Sequence, residues 1–416
     1  MRGCRNIRED PTVFFIVLWA VFFLQGMTPG FWTPGLTNIL TARGLGDWVP
    51  AIFIVTTACT LVSPLIGGAL ADQQVSAERL FAWSSILGAG VLVAAFGSLD
   101  AGWHPAWFVS LLGLYSLLNG PSWGFLALIS LTHLSDGMRR FPQVRAGATV
   151  GWVAAGLVTS YILHMDSSPA SGYASAVARL LSGVIAFMLP YTPPLGRRTS
   201  LKSLLGLDAL SLLKRRDPGV LLLVTTLFSI PLSAFYMYAP EMLKVMGDTH
   251  PMATMSWAQV VETVSMFLVG AVMVRFRLKT VFICALGISV LRFAMSTYAG
   301  SSGQISWHVA GIALHGLTYA FFFVTAQVYL DRRVDPGLRG QAQGLFAVAS
   351  TGVGPMAGAL VCGWLRSRCV TPDNQGWALF WGVLAAMIAV CFVIFAVFYH
   401  EQGREKPRST ETDPAG

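Results

Sequence analysis

Along this chain the apolar residues come in stretches of about twenty, broken by short polar or charged clusters, not in the alternation of a half-buried strand. Stretches of that length predict bilayer-crossing helices near 13–39, 49–71, 80–98, 105–133, 146–165, 174–191, 219–243, 254–274, 280–299, 305–330, 341–364 and 376–399. In hydrocarbon every backbone N–H and C=O needs an internal partner, which leaves helices or a closed barrel. Runs of twenty rather than ten select helices.

Composition agrees. The 416 residues are 54% hydrophobic and 12% charged, with a mean hydropathy of +0.62. A soluble domain carries roughly a quarter charged residues. Half that share cannot be reconciled with one aqueous core, so lipid is the solvent. The net charge of +8 is a matter of topology, not of nucleic-acid binding. With the N-terminus inside, about 22 of the 28 Lys and Arg fall in one alternating set of loops and tails, the distribution of a cytoplasmic face. They include Arg2, Arg5, Arg8, Arg139, Arg140, Arg197, Arg198, Lys214, Arg215, Arg216, Arg275, Lys279, Arg332 and Arg333, while Arg43, Lys244, Arg366 and Arg368 lie opposite. Both termini are therefore expected in the cytoplasm, in a multi-pass protein of the cytoplasmic (inner) membrane. The basic N-terminal run continues through Gln25, Pro29, Trp32 and Pro34 and reads as an uncleaved first helix. The six cysteines have no CxxC spacing and no clustering with His, so they read as small hydrophobes, with no metal site and no cofactor expected.

The longest polar stretch follows the sixth span and divides the chain into a bundle over 1–195, a cytoplasmic linker over 196–218, a second bundle over 219–400 and a disordered tail over 401–416. A repeat supports the division. DGMRRFPQVRAGATVGW carries Asp136, Arg139, Arg140, Arg145, Thr149 and Trp152. DRRVDPGLRGQAQGLF carries Asp331, Arg332, Arg333, Arg339, Gln343 and Phe346. An acid, an Arg pair, then Arg with a polar residue at i+4 and an aromatic at i+7 thus recur after 194 positions (339 − 145). Two parallel repeats of six helices predict the major facilitator fold, with a solute site at mid-membrane between the halves. Glycines four apart, at Gly26 and Gly30, Gly147 and Gly151, and Gly354 and Gly358, mark helix faces bare enough for close packing.

No phosphate loop, HExxH, serine elbow or dinucleotide fingerprint is present, so no enzyme is expected. What remains is polar and aromatic side chains inside apolar helices, where transport chemistry is expected by default. In the eighth span Ser256, Gln259, Glu262 and Thr263 share a face, and a mid-membrane carboxyl such as Glu262 is a candidate to take up and release a proton. A carboxylate locked to an Arg is the competing reading. In the fifth span Arg145, Thr149 and Trp152 share a face, offering hydrogen-bond donors and a flat indole plate, although Arg145 also fits the edge of the basic loop. Gln25, Thr28 and Trp32 share another face in the first span. Ser233, Tyr236 and Tyr238 lie near Pro231, where a broken helix could gate access. His315 and Tyr319 stand one turn apart in the tenth; His titrates nearest physiological pH, yet a lone His is more often a packing residue. Arg292, in the ninth, has no evident partner and reads as structural.

These strings resemble the nucleoside:proton symporter family of the major facilitator superfamily, the bacterial nucleoside permeases. The likeness runs from the first span to the last. It includes GALADQQVSAERL, FPQVRAGATVGW, SLLGLDALSLLKRR, QVVETVSMF, LRFAMSTYAG and VDPGLRGQAQGLF. The resemblance implies that Arg145, Thr149, Gln259 and Glu262 serve a nucleoside site, with Trp152 in the aromatic position. Two departures stand out. Where the family places an Asp before a Phe pair, implicated in proton coupling, this chain reads TYAFFF with Ala320 in its place. Where the family has amide side chains in the seventh span, it has Ser233 and Tyr236.

The function expected is secondary active import of nucleosides by alternating access, with protons as coupling ion and the bilayer and solute as its partners. Trp152, with Trp32 or Tyr319, would stack on the base; Gln25, Gln259, Arg145, Thr149 and Glu262 would complete the site; Glu262, with His315 standing in for the missing Asp, would carry the proton. A proton-independent facilitator of nucleosides or another sugar-like solute, and a non-transporting receptor of the same fold, are the alternatives.

Overall fold

The computed structural model describes residues 11–73, 75–134, 137–194, 207–333 and 339–401. Cys4, the N-terminal Arg2, Arg5 and Arg8, Asp136, the whole 195–206 connection, the tail beyond Glu401, and the side chains of Arg139, Asp331, Arg332, Arg333 and Arg339 lie outside the described residues.

Among the described residues ten helices are long and apolar enough to cross a membrane. In chain order the spanning helices are α1 (Pro11–Gly30), α2 (Val49–Gln73), α3 (Ala77–Asp100), α4 (Pro105–His133), α5 (Gly137–Leu157, extended by a π-helical turn at Val158–Ile162), α6 (Ala170–Ala186), α7 (Arg216–Val245), α8 (Pro251–Arg275), α9 (Leu278–Ser302), α10 (Ile305–Leu330), α11 (Ala342–Cys369) and α12 (Trp377–Phe398). The two outside the ten are α5, which carries the basic residues of the repeat, and α6, which has 17 residues.

Two expected spans differ in detail, and proline explains both. The first was expected to run to 39, but α1 stops at Gly30 and a separate six-residue helix covers Leu36–Thr41. Pro34 has no N–H with which to continue the helix. Pro121, which has no N–H to donate, marks the break in α4 between Asn119 and Ser122, with Gly120 before it still in the right-handed helical region. Outside the bundle apolar side chains face out: Phe267 is 81% exposed, and Trp83, Trp257 and Trp364 are also exposed, as lipid contact requires.

The packing repeats. In the first half α1 lies on α5 and α6, α3 on α4 and α6, and α2 on α4; in the second, α7 lies on α11 and α12, α9 on α10 and α12, and α8 on α10. Adding six to each helix number of the first set generates the second. Between the halves α5 meets α8 and α2 meets α11, again related by a shift of six. Glycine makes the tightest crossings possible. A Cβ at Gly151 would lie 2.8 Å from the Phe23 carbonyl carbon, and one at Gly26 2.5 Å from that of Ala148, so α1 and α5 touch backbone to backbone. In the second half a Cβ at Gly354 or Gly358 would come within 2.8 Å of α7 carbonyl oxygens.

Candidate functional site

The connections alternate between two ends of the bundle, so the repeat's arginines mark one end, the basic end. There a cavity of about 850 Å³ opens between the halves, lined by Phe22, Trp123, Ala127, Phe141 and Arg145 from the first half and Gln327, Val328 and Gln343 from the second. Arg145 is exposed in it. The Gln343 amide donates to the Gln327 carbonyl at 2.7 Å, tying α11 to α10 on the opposite wall.

Two turns further along α5 lies a second, much smaller cleft of about 10 Å³, walled by Thr33, Pro34, Trp152, Phe235, Tyr236, Met255 and Gln259. Trp152 and Gln259, predicted from different helices, therefore share one cleft. Thr149 lies on α5 between Arg145 and Trp152 and is half-buried. Glu262, one turn beyond Gln259 on α8, is buried at 9% exposure. No described side chain hydrogen-bonds it, while the Arg145 charge acts on it and it in turn acts on Tyr236 and Tyr319. A carboxyl so placed is not locked to an arginine. It is held instead where α8 and α10 cross: a Cβ at Gly316 would lie 2.6 Å from the Val261 carbonyl carbon and from the Ala258 oxygen. Past that crossing α10 opens into a π-helical turn at Tyr319–Val324, which carries half-buried Tyr319 and fully buried Ala320. Tyr319 stacks on Phe323, centroids 5.3 Å apart.

Other predicted residues lie elsewhere. Gln25 is fully buried, accepts from Arg179 Nη1 and donates to Asn119 Oδ1 at 3.4 Å. Arg179 also donates to Ser122 Oγ at 2.7 Å. Trp32 packs edge-on against Phe96 and Tyr115, at 6.0 and 6.4 Å, in the core of the first half. Tyr238 packs on Phe380, and Ser233 donates to the Ser229 carbonyl at 3.0 Å. His315 is completely buried between Arg292 and Tyr236, with Nδ1 2.7 Å from Arg292 Nη1 and Nε2 3.1 Å from Tyr236 Oη. Arg292, expected to be without a partner, has one.

Sequence reading missed Arg179, whose α6 position is apolar on either side, and Thr33, Pro34, Phe235 and Met255, whose residue types carry no transport signal. Gln343 did carry one, as the repeat counterpart of Thr149.

At the opposite end the halves are closed on each other. Asp166 Oδ1 accepts the Met252 N–H at 3.0 Å and the Ser160 hydroxyl at 2.7 Å, and Ser160 Oγ accepts the Ala253 N–H at 3.0 Å. The first-half segment after α5 thereby caps α8, satisfying N–H groups that have no partner within the helix. Thr37 donates to the Met237 carbonyl and Asn38 to that of Pro240 at 3.1 Å, on the turn of α7 that Pro240 distorts. Lys244 donates to Ser167 at 2.7 Å.

Two six-helix halves, with a cavity of solute size open between them at one end and hydrogen bonds joining them at the other, define a secondary transporter of the major facilitator class. A model of the family described as nucleoside H+ symporter matches residues 14–404, and the chain belongs to that family. It is 30% identical over 368 residues to "Putative nucleoside transporter YegT" of Escherichia coli (strain K12), covering 85% of this chain and 86% of that one. It is 27% identical over 411 residues to the xanthosine permease of the same organism, covering 93% and 97%. The crystal structure of the nucleoside transporter NupG superposes with a TM-score of 0.83 at 22% identity, covering 94% of this chain and all of that one.

Proposed function

We propose that this protein imports nucleosides across the cytoplasmic membrane by proton symport, with both termini and the basic end in the cytoplasm. The observation that carries the reading is the cleft itself. An indole plate from one half and an amide from the other face a common space, and a buried carboxyl with no hydrogen bond from the described side chains sits one turn away. Trp152 stacks on the base; Gln259, Arg145 and Thr149 bond its edge and the ribose; Glu262 carries the proton. His315 is not needed as a carrier, because Arg292 and Tyr236 already occupy both ring nitrogens. The bundles of residues 1–195 and 219–400 rock about the cleft, and the arrangement described is the inward-open one.

Uptake of labelled nucleosides into proteoliposomes, with and without an imposed inward proton gradient, tests this. Accumulation above equilibrium only with the gradient is the expected result. Equal downhill entry in both conditions would mean a facilitator, and binding without flux a receptor.

The Asp166 cap holds the outer side shut. Replacing Asp166 with Ala removes the hydrogen bond it accepts across the halves from Met252, together with its bond from Ser160 inside the first half, a change of about 0.5–2 kcal/mol toward the outward-open state. A Met255→Cys reporter in a background free of native cysteines should then react several-fold faster with an impermeant thiol reagent added outside. An unchanged rate would remove Asp166 from the latch.

A further inference from the structure

The Arg292–His315–Tyr236 chain has a direction, and the direction follows from chemistry alone. A guanidinium has donors and no acceptor. With Arg292 Nη1 2.7 Å from His315 Nδ1, that nitrogen accepts. The one proton of the neutral ring is then on Nε2, which faces Tyr236 Oη at 3.1 Å and donates to it. The phenol oxygen is already accepting on that side, so its own proton turns away from His315. Tyr236 also walls the cleft of Trp152 and Gln259.

Packing keeps this polarity from reversing. The imidazole lies parallel to the Phe235 ring, centroids 4.1 Å apart and planes 12° apart, so it cannot rotate without losing that stack. The Arg292 guanidinium sits 4.6 Å over Phe235 and 5.0 Å over Phe293, which hold the cation where hydrocarbon would otherwise exclude it. Arg292 and His315 are 3% and 0% exposed, out of reach of bulk solvent. Among the described residues the charged groups facing Tyr236 from other elements are Glu262 on α8 and Arg292 on α9.

We propose that Arg292 and His315 are positioning residues that present the Tyr236 hydroxyl to the cleft as a hydrogen-bond donor, so that the transporter favours nucleosides whose base carries an exocyclic oxygen over those with an amino group at the same place. The inference rests on the nucleoside reading above. With the base stacked on Trp152, its edge meets Tyr236. A carbonyl oxygen there completes the hydrogen bond, whereas an amino group sets donor against donor.

Two pairs of substrates isolate that contact: uridine against cytidine, and inosine against adenosine. Wild-type protein should show a KM lower by about tenfold for the oxo member of each pair, the loss expected when one site donor has no acceptor. Tyr236→Phe should bring the two KM values together by raising the oxo one, with maximal rates little changed. Arg292→Met should do the same, and Arg292→Lys, which still donates to Nδ1, should keep most of the preference. A purely structural role would lower the rates of both members alike and leave their ratio intact. Transport of all four nucleosides without preference, or a preference that survives Tyr236→Phe, would overturn the inference and leave the nucleoside reading standing. Failure to bind or carry any of the four would overturn both.

Discussion

Glu262→Gln is expected to collapse concentrative uptake to a ratio near one while leaving exchange of labelled for unlabelled solute close to wild type. The amide fills the same volume and keeps hydrogen-bonding capacity, but it cannot bind and release a proton. What is lost is therefore the coupling and not the site. A membrane potential of 100 mV contributes about 2.3 kcal/mol per charge carried, enough for a roughly 50-fold solute gradient. That whole factor is at stake. The expectation comes from the placement of Glu262: 9% exposed, beside the cleft, without a hydrogen bond from any described side chain, and within reach of the Arg145 charge. Undiminished accumulation by the variant would transfer the proton elsewhere. With Ala320 in the place of the family's acid and both nitrogens of His315 already bonded, the described residues around the cleft offer no second carboxyl of this kind.

The second large effect concerns Gly316. A single methyl there would lie 2.6 Å from the Val261 carbonyl carbon and the Ala258 oxygen, both backbone, so rotamer changes cannot relieve it. Gly316→Ala must push α10 away from α8 at the level of Glu262. We expect a loss of about 3 kcal/mol, a fall in melting temperature of about 3–4 °C in detergent, and at least tenfold slower uptake. Gly270 on the same α8 helix is the control, since a Cβ there meets nothing within 4 Å. Gly270→Ala should be neutral by both measures. Near-normal uptake by Gly316→Ala would show that the α8–α10 crossing tolerates separation, and with it that Glu262 is not held as tightly as described.

Both effects depend on a helix crossing, and the crossings were partly legible beforehand. The glycines four apart on α1, α5 and α11 were visible as small-residue faces, and each does lie against a neighbouring backbone. Gly316 was not, because it is a lone glycine beside His315 and its role depends on a helix fifty residues away. The same distinction separates Gln25 from Gln259. Both are amides on polar faces of apolar helices. One faces the cleft, and the other is taken up by Arg179 inside the first half. Helical periodicity reports which residues share a face. It does not report what that face meets.

The amino-acid sequence by itself determined that the chain spans a membrane as helices, because runs of twenty apolar residues leave the backbone no other way to satisfy its hydrogen bonds. It determined the division into two related halves as well, since a duplicated pattern of arginines survives in linear order. Only the tertiary structure decided which buried polar groups face a shared cleft, which bond one another, and at which end the halves separate. Those are long-range facts. They arise where helices far apart in the chain meet, and in hydrocarbon a polar side chain takes whichever partner the packing brings within reach.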